Sequence, residues 1–264
     1  MSADQRLSTR REGAALVVTL ERPPVNAVDD GLLVELDAAI DLAEADESVC
    51  VLHLRSAQKV FCAGADLDLM RSSIATPQGR NRMVGVVLEM QRVFARLENL
   101  SCVTMAEIGG AALGGGFEMA LACDWRIAAD EARVGLPEAG LGLLAAAGGT
   151  QRLTTLVGVG VARRLILGSE TLTGQEALRM GLVQWSVPRA QLPEAARQLA
   201  ERCGTLPRHT LAETKRCIAL AAASRGDGYA AEIAATRRLY DHPETRRRVS
   251  SFLDKSTSIP KERT

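Results

Sequence analysis

The segment Ala111–Asp124, AALGGGFEMALACD, limits what this chain can fold into more than any other stretch. Three consecutive glycines lead into an apolar run of helical character, and one carboxylate, Glu118, sits in what would be its first turn. Glycine disfavours a helix by about 1 kcal/mol relative to alanine, and a carboxylate on an apolar face is costly to bury. The first turn of a helix carries N–H groups without intrahelical partners, at the positive end of the helix dipole. Glycines there leave those N–H groups open to an anionic group, or let the helix lie close against a strand where no side chain fits. Glu118 follows Gly115 by three residues and shares its helix face. Its neighbours Phe117, Met119, Leu121 and Ala122 are apolar, so the carboxylate needs either a partner or a chemical task.

A second glycine turn, Cys62-Ala63-Gly64-Ala65-Asp66, follows a β-branched run. Alone it is an ordinary tight turn. Beside the triple glycine it can offer a second N–H to one oxygen, and two backbone donors are what a developing oxyanion requires. A second carboxylate, Glu138 in GLPEAGLG, follows Pro137 in a stretch read as a rigid loop without helical periodicity. By itself it reads as a solvated loop residue. Two carboxylates near one water can nonetheless divide acid and base roles if their environments separate their pKa values.

The remaining chain bounds the class. It has 264 residues, 47% of them hydrophobic, enough for one large core. Lys+Arg 32 against Asp+Glu 32 leaves no net field to attract nucleic acid or an anionic membrane. Cysteines 50, 62, 102, 123, 203 and 217 lie mostly in apolar runs without a CxxC pair, which suits buried, reduced thiols in a cytoplasmic protein. No apolar run reaches membrane-spanning length, and the N-terminal residues do not read as a signal peptide. Histidines 53, 209 and 242 show no metal spacing, and GGGFE is not the GxGxxG of a dinucleotide site.

ALVVTL reads as a strand ended by Pro23-Pro24, with Asp29 or Asp30 capping a helix whose Leu32, Leu33, Leu36, Ile40 and Ala43 form one face. VCVLHLRS reads as a buried strand, and SCVTMAEIGG and WRIAADEARVG repeat the strand-into-glycine pattern. A long amphipathic helix is expected from Met83, through Val86, Val87, Met90, Val93 and Phe94 to Leu97. Beyond about residue 150 the chain reads as largely helical, with a capping box at Thr173–Glu176 and Gly181 as a C-cap. The Arg246–Arg248 run reads as a solvated helix face, and Asp124 as a structural hydrogen-bond partner.

The segments RPPVNAV, FCAGADL, GAALGGGFEMALACDWRIAA, LPEAGLGL, GGTQRL and LTGQEALRMGLV, in that order, resemble the crotonase (enoyl-CoA hydratase/isomerase) superfamily. The resemblance implies an α/β fold, a crotonase-like spiral of ββα units over residues 1–195. A helical C-terminal region over 196–264 would serve capping and trimerisation, with trimers often paired into hexamers. It implies an oxyanion hole from the N–H groups of Ala65 and Gly115. Glu118 would act as base toward a water and Glu138 would deliver a proton to the α-carbon: syn hydration of a trans-2-enoyl-CoA, as in the β-oxidation of fatty acids. The CoA thioester is then the substrate and no separate cofactor is implied. CoA would lie along the backbones of Val25, Ala27, Ala63, Asp66 and Leu67, with Arg22 and Lys255 toward its phosphates. Double-bond isomerisation, which needs only a carboxylate at the position of Glu138, and non-catalytic acyl-CoA binding are the alternatives. The acyl pocket is expected from loops around residues 70–85 and 141–147. Two departures stand out: Leu144-Ala145-Ala146-Ala147 replaces a Pro/Gly turn, and Glu107, read as either pairing with an arginine or adding a carboxylate near the site, replaces a small residue.

Overall fold

In a computed structural model, which describes residues 5–74, 76–222, 243, 244 and 247, the β-branched runs pair into two sheets. The larger runs β1 (Leu7–Glu12), β2 (Ala15–Leu20), β3 (Val51–Ser56), β4 (Val103–Ile108), β6 (Trp125–Ala129), β9 (Trp185–Val187) in spatial order. Only β1 and β2 are antiparallel, as a hairpin; the other neighbours are parallel. The smaller sheet orders β5 (Ala112–Leu113), β7 (Arg133–Gly135) and β8 (Thr171–Thr173). β2, β3 and β4 are buried along most of their length, as parallel strands covered on both faces should be.

The helices are α1 (Asp30–Ala45), α2 (Leu67–Ile74), α3 (Pro77–Asn99), α4 (Gly115–Leu121), α5 (Gly149–Leu167), α6 (Gly174–Arg179), α7 (Leu192–Gly204) and α8 (Arg208–Ala222). The repeat is a spiral: a strand in the large sheet, a crossing to the small one, then a helix. β3 is followed by the Cys62 bridge to Ala112 and then α2 and α3; β4 by β5 and α4; β6 by β7 and, later, α5. The crossing after β4 passes Gly110, where a side chain would collide with the Lys59 carbonyl. Asp29 caps α1 by accepting from the Leu32 N–H, and the predicted leucine face is buried. The Thr173–Glu176 capping box is formed, and Gly181 at φ 78° ends α6. Five of the six free cysteines are buried.

Two expectations shift. Residues 70–74 and 77–85 are not a loop: α2 and α3 occupy them, with Thr76 capping α3 and Pro77 at its first position. The chain divides into units at Thr205/Leu206, not at 195/196. The earlier boundary cuts α7, whose buried Leu192, Ala196, Leu199, Ala200 and Cys203 pack on β2, β3, β4 and β6 and so complete the first unit's core. In the second unit Pro207 precedes α8, and its carbonyl accepts from Thr210 and Leu211. Of the Arg246–Arg248 run, Arg247 is described; it is exposed and pairs with Glu244 at 2.7 Å.

Candidate active site

Gly114, at φ 51° and ψ −128°, turns the chain from β5 into α4. The two readings of the glycines fall on different residues. A Cβ on Gly116 would stand 2.7 Å from the Cys62 carbonyl carbon and closer still to its oxygen, so this glycine lets the helix touch the bridge segment at Cys62. Gly115 faces elsewhere. A Cβ there would meet the tip of Met90 at 2.6 Å and the Ala65 nitrogen at 3.6 Å. Among the described residues, neither the Gly115 nor the Ala65 N–H has an acceptor. Two backbone donors without acceptors therefore lie near one another, beside the tip of Met90.

The Ala65 turn is held by the loop after β2. Val28 bridges Ala65 in parallel: its N–H donates to the Gly64 carbonyl at 2.8 Å and its carbonyl accepts from Asp66 at 3.1 Å. Ala63 donates to the Val25 carbonyl at 3.0 Å. Asn26, fully buried at φ 52°, ties the loops together: its amide donates to Ser56 Oγ at 2.7 Å and the Phe61 carbonyl at 2.8 Å, while its carbonyl accepts from the Arg22 N–H at 2.9 Å. The Arg22 guanidinium donates to the Ala27 carbonyl at 2.7 Å and to Asp66 at 2.6 Å; Asp66 also accepts from Leu69 N–H, capping α2. The structure thus brings Arg22, Val25, Ala27, Ala63 and Asp66 to one place, with Leu67 next in chain as the first residue of α2. Arg22 works inside this loop pair, and Lys255 lies outside the described residues. Asn26 was not singled out by its sequence, although asparagine is among the few residues that tolerate positive φ.

Glu118 is only 3% exposed. Its Oε1 accepts from the Gly149 N–H at 2.8 Å, so the start of α5 faces the carboxylate. Burial pushes Glu118 up to about 7, against the pull of the Gly149 N–H; the Glu138 charge adds to the rise, and the Ala147 N–H and Arg152 oppose it. Glu138 does not lie in an irregular loop but in the first turn of a 3-10 helix, Pro137–Leu141. Nor is it solvated: burial also raises its pKa, and its Oε2 is buried without a partner among the described residues. Its Oε1 lies 3.0 Å from where a Cβ on Gly114 would stand, so the side chain leans over the start of α4. One buried and one half-buried carboxylate, each pushed toward its protonated form, thus flank the glycine turn. Carboxylates held in different surroundings can divide acid and base roles.

Glu107 does not pair with an arginine. It faces His53 across β3 and β4 at 2.8 Å, both buried, in an approach not aligned for a hydrogen bond. Asp124 accepts from the Thr104 N–H at 2.8 Å and its hydroxyl at 3.0 Å, the structural role expected. Among the described residues no helix is long and apolar enough to cross a membrane.

The sequence matches the enoyl-CoA hydratase/isomerase family model over residues 10–259. It is similar to the short-chain-enoyl-CoA hydratase of Clostridium acetobutylicum, 42% identical over 194 residues, covering 73% of this chain and 72% of that protein. It is also similar to the 2,3-dehydroadipyl-CoA hydratase of Escherichia coli, 36% identical over 198 residues, 74% of each. Among solved structures, Pseudomonas aeruginosa DspI matches with a TM-score of 0.88 and 34% identity over 98% of this chain and 97% of that one. An enoyl-CoA hydratase from Bacillus anthracis matches with a TM-score of 0.87 and 31% identity over 95% and 97%. The spiral of two sheets is accordingly the crotonase fold, and the chain belongs to the enoyl-CoA hydratase/isomerase family.

Proposed function

We propose that the protein is an enoyl-CoA hydratase, adding water syn across the double bond of a trans-2-enoyl-CoA. The observation that carries this reading is the meeting of two unoccupied N–H donors, on Ala65 and Gly115, with two carboxylates that burial holds above their ordinary range. The thioester oxygen would accept from both N–H groups. Glu118, ionised, takes a proton from water as its oxygen bonds to the β-carbon; the electron pair of the double bond moves onto the thioester oxygen as an enolate. Glu138 then gives its proton to the α-carbon, and the carbonyl re-forms. One water is consumed and a 3-hydroxyacyl-CoA results, without an oxidant or a cofactor beyond the substrate's own CoA. Stabilising the enolate with one such donor is worth about 10²–10³ in rate, and positioned acid–base catalysis about 10²–10⁴.

CoA is placed by this reading along the backbones of Val25, Ala27, Ala63, Asp66 and Leu67, with Arg22 and Lys255 toward the phosphates. Relatives named for short-chain enoyl-CoA and 2,3-dehydroadipyl-CoA hydration support the substrate class. A cytoplasmic trimer or hexamer working on fatty-acid intermediates, as in β-oxidation, completes it; the free, mostly buried thiols fit a reducing compartment. The test is turnover of crotonyl-CoA and longer trans-2-enoyl-CoAs, with trans-3-enoyl-CoA offered in parallel. Hydration that falls by orders of magnitude in both Glu118→Gln and Glu138→Gln supports the assignment. Faster turnover of the 3-enoyl substrate would replace it with isomerisation, and saturable binding without turnover would replace it with a carrier role.

A further inference from the structure

The turn that holds Glu118 has an unusual anchor. Residues 145–147 are all alanine, so no proline stiffens the approach to Gly148 (φ 106°) and Gly149. Side chains from two helices grip its carbonyls instead. Gln91 of α3 donates to the Ala146 carbonyl at 2.6 Å, and Arg152 of α5 donates to the Ala147 carbonyl at 3.0 Å. The same guanidinium donates twice more to Glu98 of α3, at 2.8 and 3.0 Å, and its side chain is only 13% exposed. A Cβ on Gly148 would strike this guanidinium, so glycine at 148 and arginine at 152 form one fitted unit.

We propose that Arg152, held in place by Glu98, is a positioning residue for Glu118, fixing the Ala147–Gly149 turn whose N–H groups hold that carboxylate. The inference rests on the reading of Glu118 as the acid–base group and names what controls it. The charged groups that act on Glu118 are Glu138, which opposes its ionisation, and Arg152, which favours it. Glu98 partly neutralises Arg152, which gives the arrangement a direction. Loss of the Arg152 charge should make Glu118 harder to ionise; loss of the Glu98 charge should make it easier.

The test is the titration of the Glu118 carboxyl, read by infrared difference spectroscopy against Glu118→Gln, alongside kcat and KM as functions of pH. In Arg152→Gln the midpoint should rise by about one pH unit, as for one charge near a partly buried site. The acidic limb of kcat should move with it while KM changes little, and raising the pH should recover part of the lost rate. Arg152→Lys, which keeps the charge, should restore most of the midpoint. Glu98→Gln, at a half-exposed position, should move the midpoint the other way. Unmoved midpoints, or shifts of the same sign in Arg152→Gln and Glu98→Gln, overturn the proposal. If Arg152→Gln does not fold, Glu98→Gln decides: a fall in the midpoint supports the proposal, and no change or a rise overturns it. The spectroscopic midpoint does not depend on which reaction Glu118 serves. Shifts of the stated signs in a protein that hydrates no enoyl-CoA would therefore refute the hydratase reading and leave this one standing.

Discussion

Alanine substitution at two adjacent glycines separates the proposed oxyanion donor of the GGG turn from its close-packing glycine. A methyl at position 115 meets only the terminal carbon of Met90, a flexible tip that can rotate away, and the Ala65 nitrogen at 3.6 Å. The helix gains about 1 kcal/mol from losing a glycine, and repacking Met90 costs an amount of the same order, so the two nearly cancel. The melting temperature of Gly115→Ala should stay within about 3 °C of the parent. Its activity should not. An oxygen bound by both amides must stand about 2.9 Å from each, in a hollow that now contains a methyl needing about 3.5 Å from any heavy atom. Losing one donor costs about 10²–10³ in kcat, or about 3 kcal/mol of transition-state stabilisation. At position 116 the methyl instead meets Cys62 backbone at 2.7 Å, where only movement of the bridge segment or helix relieves it. Such overpacking costs about 1–3 kcal/mol, and Gly116→Ala should melt several degrees lower. Steady-state hydration of crotonyl-CoA and thermal melts of both variants settle the matter. A Gly115→Ala variant with parental kcat and melting temperature would refute the oxyanion hollow, and a fully stable Gly116→Ala would refute the close approach.

Three further outcomes follow from the same contacts. The folded protein holds Glu118 at about 7 against an ordinary 4.5, so it binds more protons than the unfolded chain between those values. Stability should therefore fall by on the order of 3 kcal/mol as pH rises through that window, and Glu118→Gln should melt higher than the parent at pH 8 while losing activity. Asn26→Ala removes two hydrogen bonds that join the loops and one within its own loop, and should lower stability by about 2–3 kcal/mol, with KM for the CoA substrate rising more than kcat falls. Glu107→Ala leaves a cavity beside buried His53 and should lower the melting temperature while kcat stays within about twofold, since neither residue is given a role in the proposed reaction.

Much of this arrangement was legible in local pattern, because helix faces, caps and glycine turns are decided within a few residues. The α1 leucine face, the Thr173–Glu176 capping box and the GGG turn are of that kind. Glu118 stood out because a lone carboxylate among apolar neighbours has few explanations. What stayed hidden depends on partners distant in the chain. Gly149, the donor to Glu118, lies 31 residues away, and the Arg152–Glu98 anchor spans 54. The three-residue strands β8 and β9 are too short to show an alternation. Helix α3 was expected to begin near Met83, but Thr76 and Pro77 carry a cap-and-proline signal that places its start six residues earlier. Glu138 was misread locally for a different reason: its 3-10 turn is too short for helical periodicity, and its burial comes from the start of α4.

The most direct test of the acid–base pair is the formation of 3-hydroxyacyl-CoA from a trans-2-enoyl-CoA in D₂O, followed across pH for the parent, Glu118→Gln and Glu138→Gln. The predicted result is a bell-shaped rate in the parent, deuterium placed at the α-carbon, and a loss of about 10²-fold or more in each variant. Parental hydration rates in either variant, or a flat pH profile in the parent, would contradict Glu118 as base and Glu138 as acid in the reaction.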